Sequence, residues 1–146
     1  MICKRGDNTM QYISGIHALN LECELDTCGD WHQSAIQWER LKLYESNGSL
    51  WGDYGIETDK QIPEHTEHYN TANHIRALLD LLYEGKFTIA KGMRNDFICT
   101  DKYNDEIFEK VYMMRHLSHW EAIDKFMSKE YKCLWLDFKE QKSNET

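Results

Sequence analysis

The sequence NTANHIRALLDLLYEG, residues 70–85, has the apolar periodicity of an amphipathic α-helix. Its apolar side chains recur at intervals of three and four residues, which places them on one side of a helix with about 3.6 residues per turn. Gly85 follows the last apolar turn, at a position where glycine commonly ends a helix. The stretch therefore predicts a helix that buries one face, consisting of Ala72, Ile75, Leu78, Leu79 and Leu82.

The sequence after this helix predicts further helices and then one strand. Residues 87–93 suggest a short helix, and the apolar spacing of residues 107–117 suggests a longer one. Ser118 and Glu121 match a capping box, which predicts the start of another helix. Residues 132–138 are rich in consecutive apolar side chains, and we expect them to form a final strand that returns to a sheet.

The sequence before residue 70 instead has the patterns of strands and turns. Residues 10–21 predict a buried strand that enters a turn. Residues 41–45 and 50–58 alternate on either side of the turn sequence SNGS, which predicts a β-hairpin. Residues 31–38 favour a short helix, and a strand over residues 35–38 is the alternative.

Together these patterns predict an α+β fold. We expect a small antiparallel sheet from the N-terminal half, joined by the C-terminal strand if that strand forms, and packed against about four helices from the C-terminal half. The chain length suits one domain. We expect residues 1–9 to be a weakly ordered leader, residues 10–138 to be the domain and residues 139–146 to be a polar tail.

Negative charge is concentrated in one segment of the chain. The formal net charge is −8, and residues 22–67 carry eleven Asp and Glu against three Lys and Arg, whereas the remaining residues are balanced. A negative surface repels phosphate backbones and anionic lipids, and the sequence pI of about 5.3 argues against a nucleic-acid partner. Such a surface attracts a basic protein or a cation, although acidity that serves only solubility is the simpler explanation.

The five cysteines are irregularly spaced, at positions 3, 23, 28, 99 and 133. The first fifteen residues lack the apolar core of a secretion signal, and no apolar run approaches the ~18 residues of a membrane span. These features predict reduced thiols, a cytoplasmic location and no membrane partner.

The segment Gly15–Trp38 combines titratable side chains with residues that favour burial. An aspartate beside an imidazole orients the ring and raises its basicity, and a nearby thiol would supply a nucleophile. Local turn and cap hydrogen bonds are the alternative role of these acids. The histidines and cysteines do not have the paired spacing of a zinc site, so we predict no metal and no cofactor. The candidate catalytic residues are His17, Asp26, Cys28, Asp30 and His32.

The acidic half is also rich in tryptophan and tyrosine, which often anchor protein interfaces. We expect two or three of its six aromatic residues (Trp31, Trp38, Tyr44, Trp51, Tyr54 and Tyr69) to be exposed. The predicted partner contacts are Trp51, Tyr54, Glu57, Asp59 and Glu64.

No sequence motif identifies a reaction. The composition therefore favours a small bacterial or phage protein that binds a partner with a basic surface, as an antitoxin, immunity protein or inhibitor does. A small enzyme or metal protein built on the segment from His17 to His32 is the alternative.

Overall fold

The structure of the protein, a computed structural model, describes residues 10–30, 33, 36–47 and 49–145. The predicted leader, residues 1–9, lies outside the described residues, as do Trp31 and Ala35 of the predicted short helix. The elements in chain order are β1 (Gln11–Ile13), α1 (Gly15–Leu19), β2 (Leu43–Glu45), β3 (Ile56–Gln61), β4 (His68–Ala72), α2 (His74–Tyr83), α3 (Phe87–Ala90), a π-helix (Met93–Ile98), α4 (Asn104–Tyr112), α5 (Trp120–Tyr131) and α6 (Cys133–Asn144).

The strands form one four-stranded sheet in the order β2-β1-β4-β3, which confirms the α+β class. β1 pairs antiparallel with β2, β3 pairs antiparallel with β4, and β1 pairs parallel with β4 through Ile13 and Thr71. The prediction of an antiparallel sheet is therefore wrong for the pair of β1 and β4. A parallel pair needs a long connection, and the chain between β1 and β4 provides one.

The predicted β-hairpin over residues 41–58 is also wrong. β2 pairs with β1, and residues 50–55 form turns before β3 begins. Trp51 in these turns is buried, and its indole N–H donates to the carbonyl oxygen of Lys110 at 3.1 Å. Trp51 therefore packs against α4 and does not lie in the strand that the alternation of the sequence predicted.

The predicted strand over residues 10–21 ends early. β1 stops at Ile13, and α1 begins two residues later. The hydroxyl of Ser14 between them donates to Asp80 Oδ2 at 2.6 Å. Residues 15–19 of the predicted strand therefore form a helix.

The helix predicted from residues 70–85 is confirmed as α2, and it lies at the centre of the molecule. Asn73 caps it, with its side-chain oxygen accepting from the N–H of Arg76 at 2.8 Å. However, every residue of α2 from His74 to Leu82 is buried, so the helix is enclosed on its polar side as well. Its polar side chains therefore need partners inside the protein.

The predicted C-terminal strand is wrong, because residues 133–144 form α6. Trp135 is fully buried and stacks on Phe138 at a ring distance of 5.6 Å, whereas Leu134 and Leu136 on either side are exposed. The helix continues through most of the predicted polar tail, and Lys139 pairs with Asp124 at 2.7 Å.

The capping box predicted at Ser118 is not formed. α5 begins at Trp120 after His119, whose side chain makes no cap hydrogen bond. Among the helices of the described residues, none combines the length and the apolar composition that crossing a bilayer requires.

Candidate functional site

The structure separates the catalytic candidates that the sequence suggested. His17 Nε2 donates to the carbonyl oxygen of Gln37 at 2.9 Å, and the exposed Asp26 forms an ion pair with Lys102 at 2.5 Å. Asp30 and Cys28 line a cleft, and His32 lies outside the described residues. The predicted set is therefore not assembled as one site in the part of the chain that the structure describes.

Cys28 is joined to Cys99 in a disulfide, with 6.0 Å between their Cα atoms. The prediction that all five thiols are reduced is wrong for these two residues. The pairing depends on the π-helix, because the carbonyl oxygen of Phe97 accepts from the N–H groups of both Cys28 and Gly29 at 2.9 Å. In this state Cys28 has no free thiol to act as a nucleophile.

A cleft of about 700 Å³ lies between the loop of residues 20–30 and the start of α2. The loop has no regular structure, and hydrogen bonds to distant parts of the chain hold it. The N–H of Glu24 donates to Glu57 Oε2 at 2.8 Å, and the N–H of Asp26 donates to the hydroxyl of Tyr103 at 2.9 Å. The cleft walls are thus fixed from β3 and from the start of α4.

Three side chains in this cleft form a hydrogen-bonded series. Cys23 Sγ lies 3.4 Å from Thr27 Oγ1, and Thr27 Oγ1 lies 2.6 Å from His74 Nδ1. His74 Nε2 lies 2.7 Å from the carbonyl oxygen of Leu21. Because a carbonyl oxygen only accepts, Nε2 carries the proton, and Nδ1 of the neutral ring is left to accept from Thr27.

Cys23 and His74 each favour the charged form of the other. Burial raises the pKa of the Cys23 thiol, but the neighbouring His74 and Thr27 outweigh it and hold the pKa below its usual value. Burial lowers the pKa of His74, but the neighbouring Cys23 and the carbonyl oxygen of Leu21 outweigh burial and raise it. A thiol whose pKa is lowered beside a histidine forms the reactive thiolate more readily than an ordinary cysteine does.

Gly29 lies directly against the His74 ring. A Cβ atom on this residue would lie 2.6 Å from His74 Cε1 and 2.7 Å from the carbonyl oxygen of Leu19, and the φ of Gly29 is +68°. Glycine alone combines this backbone conformation with so close an approach. The loop therefore clamps the imidazole between Gly29 and Leu21.

Sequence reasoning did not assign this site. Cys23 entered the sequence analysis only as one of the irregularly spaced cysteines, and His74 only as a residue of the predicted helix over residues 70–85. One signal was present in the sequence, namely a histidine in the first turn of a helix that buries its start. Among the described residues, His, Cys, Asp and Glu are nowhere grouped in threes that would hold a metal ion.

A second polar cluster lies on α2, around Arg76, which is fully buried. All five N–H donors of its guanidinium are used. Nε donates to Asp80 Oδ1, Nη1 donates to the carbonyl oxygens of Gly52 and Tyr54, and Nη2 donates to the hydroxyls of Tyr12 and Ser49, at distances of 2.6–3.1 Å. The Arg76 cluster is thus satisfied internally.

Asp80 completes this cluster from the next turn of α2. Its carboxylate also accepts from the hydroxyls of Tyr12 and Ser14, at 2.8 Å and 2.6 Å. Burial, and then the Asp80 charge, raise the pKa of the Tyr12 hydroxyl above its usual range. The Arg76 cluster joins the sheet, α2 and the turns before β3, which is a structural role.

The predicted partner contacts are divided by burial. Trp51 and Glu57 are 6% and 9% exposed, so they offer almost no surface to another protein. Tyr54 is half-buried and donates its hydroxyl to Glu106. Asp59 and Glu64 remain exposed.

The expectation of exposed aromatic residues in the acidic half is wrong for the five that the structure describes. Trp38 and Trp51 are buried, and the three tyrosines are half-buried. Because the sheet is small, other parts of the chain must also pack against α2. Aromatic rings of the acidic half contribute to this packing.

Five of the exposed carboxylates of this half nevertheless lie on neighbouring elements. We call this region the acidic hairpin surface. It contains the hairpin of β3 and β4, and the segment of residues 22–24, which contacts the hairpin through the bond from Glu24 to Glu57. Its exposed carboxylates are Glu22, Glu24, Asp59, Glu64 and Glu67.

Comparison of the chain with models of known protein families, with curated proteins and with solved structures gives no match.

Proposed function

We propose that the protein binds a basic protein partner through the acidic hairpin surface. In this role it acts as an antitoxin, immunity protein or inhibitor does, by occupying a surface of its partner. The single observation that carries the proposal is the accessibility of five carboxylates on adjoining elements.

The charge balance of this surface supports the proposal. The lysine of β3, Lys60, is paired with the buried Glu57 at 2.9 Å, so it does not offset the exposed acids. Asp59 pairs with His68 at 2.9 Å, yet its side chain is 82% exposed. Carboxylates within about one Debye length of each other act together on an approaching cation, which steers a basic partner to this surface.

The position of the hairpin also supports the proposal. β3 is the last strand of the described sheet, so one side of its backbone has no strand neighbour there. Edge strands are common docking points for other chains, and charges on them also prevent nonspecific pairing. Protection of the edge without any partner is therefore the competing explanation.

A pair of matched variants separates the two explanations. The hairpin variant carries Asp59→Asn, Glu64→Gln and Glu67→Gln. The control variant carries Asp137→Asn, Glu121→Gln and Glu140→Gln, which are exposed acids of α5 and α6. Both variants lose three negative charges, and the hairpin substitutions keep side-chain shape at Asp59 and Glu64, where φ is 60° and 67°.

The wild type, the hairpin variant and the control variant are used as baits in a lysate of the native host. The proposal predicts one basic protein that the wild type and the control retain and the hairpin variant loses. With that protein purified, we expect the hairpin variant to associate on the order of tenfold more slowly at low salt, and the difference to shrink as salt rises. Equal capture of the partner by all three baits would show that the hairpin carboxylates do not contribute to binding.

The proposed compartment is the cytoplasm. The Cys28–Cys99 disulfide is the observation against it, because such bonds are rare in reducing compartments. Alkylation of the protein in intact host cells, before any exposure to air, measures whether this pair is reduced there. A reduced pair agrees with the proposal, and a fully oxidised pair contradicts it.

A further inference from the structure

We infer that Cys23 is a nucleophilic thiol that accepts an acyl group in the cleft, with His74 as its base and Thr27 as the link between them. This site adjoins the acidic hairpin surface, because the segment of residues 22–24 belongs to both, but it does not depend on the proposed partner. It also differs from the site that the sequence suggested, since only its neighbours Cys28 and Asp30 belonged to that set.

The geometry has the three parts that a thiol nucleophile needs. The thiol of Cys23 and the ring of His74 both border the cleft, and Thr27 Oγ1 lies within 3.4 Å of the sulfur and 2.6 Å of Nδ1. The carbonyl oxygen of Leu21 holds Nε2–H, which fixes the ring orientation and the tautomer. This corresponds to a nucleophile, a base and a group that orients the base.

Thr27 provides the path for the proton. In the neutral state its hydroxyl donates to His74 Nδ1, and its oxygen accepts from the Cys23 thiol. Transfer of both protons in the same direction produces the Cys23 thiolate and the His74 imidazolium. The hydroxyl is restored at the end of the transfer, because Thr27 gives up one proton and receives another.

The cleft walls indicate the class of electrophile. The carboxylates of Glu22 and Asp30 border the cleft, and they disfavour an anionic substrate. Leu21 and Leu25 supply apolar surface beside Cys23. An uncharged or cationic ester or amide matches these walls, with its acyl group against the leucines.

The reaction balances without an oxidant or a reductant. The Cys23 sulfur attacks the carbonyl carbon, a carbon–sulfur bond forms, and the bond from that carbon to the leaving oxygen or nitrogen breaks. The leaving group takes a proton from the His74 imidazolium through Thr27, and a thioester remains on Cys23. Water then attacks the thioester carbon and gives a proton to His74 through Thr27. The carbon–sulfur bond breaks, which releases the acid and leaves the Cys23 thiolate beside the His74 imidazolium.

The test uses p-nitrophenyl acetate, an uncharged ester whose phenolate is measured by absorbance. The background chain carries Cys3→Ser and Cys133→Ser, so Cys23 is the one cysteine outside the disulfide, and no reductant is added. We expect one acetyl group on Cys23 by peptide mass spectrometry, and none after Cys23→Ser. Restoration of the free thiol after the ester is consumed supports the hydrolytic step, whereas a permanent acetyl group overturns that step.

Two further variants test His74 and Thr27. His74→Gln removes the base, and we expect acetylation on the order of 100-fold slower, as for loss of a general base. Thr27→Val keeps the shape and removes the hydroxyl, and it gives a second reading if the His74 variant does not fold. Thermal unfolding of each variant checks that the native structure is retained.

The pH dependence distinguishes a base from a residue that only shapes the cleft. In the wild-type background the acetylation rate should rise to its plateau at a lower pH than for the same chain unfolded in urea. Both His74→Gln and Thr27→Val should move this rise to higher pH. Equal rates and equal pH profiles in the background chain and both folded variants would show that Cys23 is an ordinary thiol and would overturn the inference.

Discussion

Helix α2 carries two polar clusters that differ in one respect. In the Arg76 cluster the guanidinium is fully buried, and each of its donors has a protein acceptor. The cluster of Cys23, Thr27 and His74 borders a cleft of about 700 Å³, and Cys23 is half-buried. Burial of a polar side chain is therefore not itself a sign of chemistry, because a buried group whose hydrogen bonds are all made within the fold has a structural role.

The comparison predicts that the Arg76 cluster contributes more to stability than the cluster of Cys23, Thr27 and His74. Removing one partner of a buried ion pair leaves the other charge without compensation. Removing a partner beside a cleft allows water to take its place. Four measurements, in order of decreasing expected effect, test this difference.

Replacement of Arg76 by methionine should have the largest effect. The variant leaves Asp80 buried without its cation, and we expect a loss of about 3–5 kcal/mol in the free energy of unfolding, measured in urea. Arg115→Met is the control, because Arg115 is exposed and such changes are usually within about 0.5 kcal/mol. A loss under about 1 kcal/mol at Arg76 would contradict the structural role of this cluster.

Removal of the disulfide should come next. Cys28 and Cys99 are 71 residues apart, so the bond restricts the unfolded chain considerably. We expect Cys28→Ser with Cys99→Ser to cost about 2–4 kcal/mol. Dithiothreitol should destabilise the wild type by a similar amount and leave the double variant unchanged. If the reductant has no effect on the wild type, the disulfide contributes nothing to stability.

Substitution of Gly29 tests the clamp on His74. Gly29→Ala introduces a Cβ atom into the imidazole at a φ of +68°, and we expect a loss of roughly 1–3 kcal/mol. Gly52→Ala is a matched control, because Gly52 also has positive φ and its Cβ atom would contact nothing within 4 Å. An equal loss at both positions would attribute the effect to backbone strain alone, without a clamp.

Substitution of His74 should have the smallest effect and the clearest pH dependence. His74→Gln removes two neutral hydrogen bonds beside a cleft, and we expect a loss of about 1 kcal/mol near neutral pH. Because the folded protein raises the pKa of His74, its protonation adds stability that is fully present below the unfolded pKa of about 6.5 and is lost as pH rises through the folded pKa.

The free-energy difference between wild type and His74→Gln should therefore be larger at pH 5.5 than at pH 9. Urea unfolding of both proteins across this range measures it. A difference that does not change with pH would mean that folding leaves the pKa of His74 unaltered.

Some features of the fold were predictable from local pattern alone. The spacing of Ile75, Leu78 and Leu82 predicted α2, because helical periodicity is a property of neighbouring residues. The same reasoning failed for residues 132–138. The apolar run is compatible with a strand, but the spacing of Trp135 and Phe138 is equally compatible with a helix. Short apolar runs do not distinguish the two periods.

The candidate site was much less predictable than the fold. Asp26 and Cys28 were suggested by nearness in sequence, but their partners in the structure are Lys102 and Cys99. His74 reaches Thr27 across 47 residues. A single sequence gives no direct information about contacts between distant residues. Nearness in sequence therefore suggested the wrong partners for these side chains.

The sequence by itself determined the α+β class, the position of the central helix and the concentration of negative charge before residue 70. These depend on composition and on interactions between near neighbours. Only the tertiary structure decided the order of the strands, the cluster around the buried Arg76, the Cys28–Cys99 pair and the approach of Cys23 to His74. Each of these requires distant residues to be packed together, and burial then requires every polar group brought inside to find a partner.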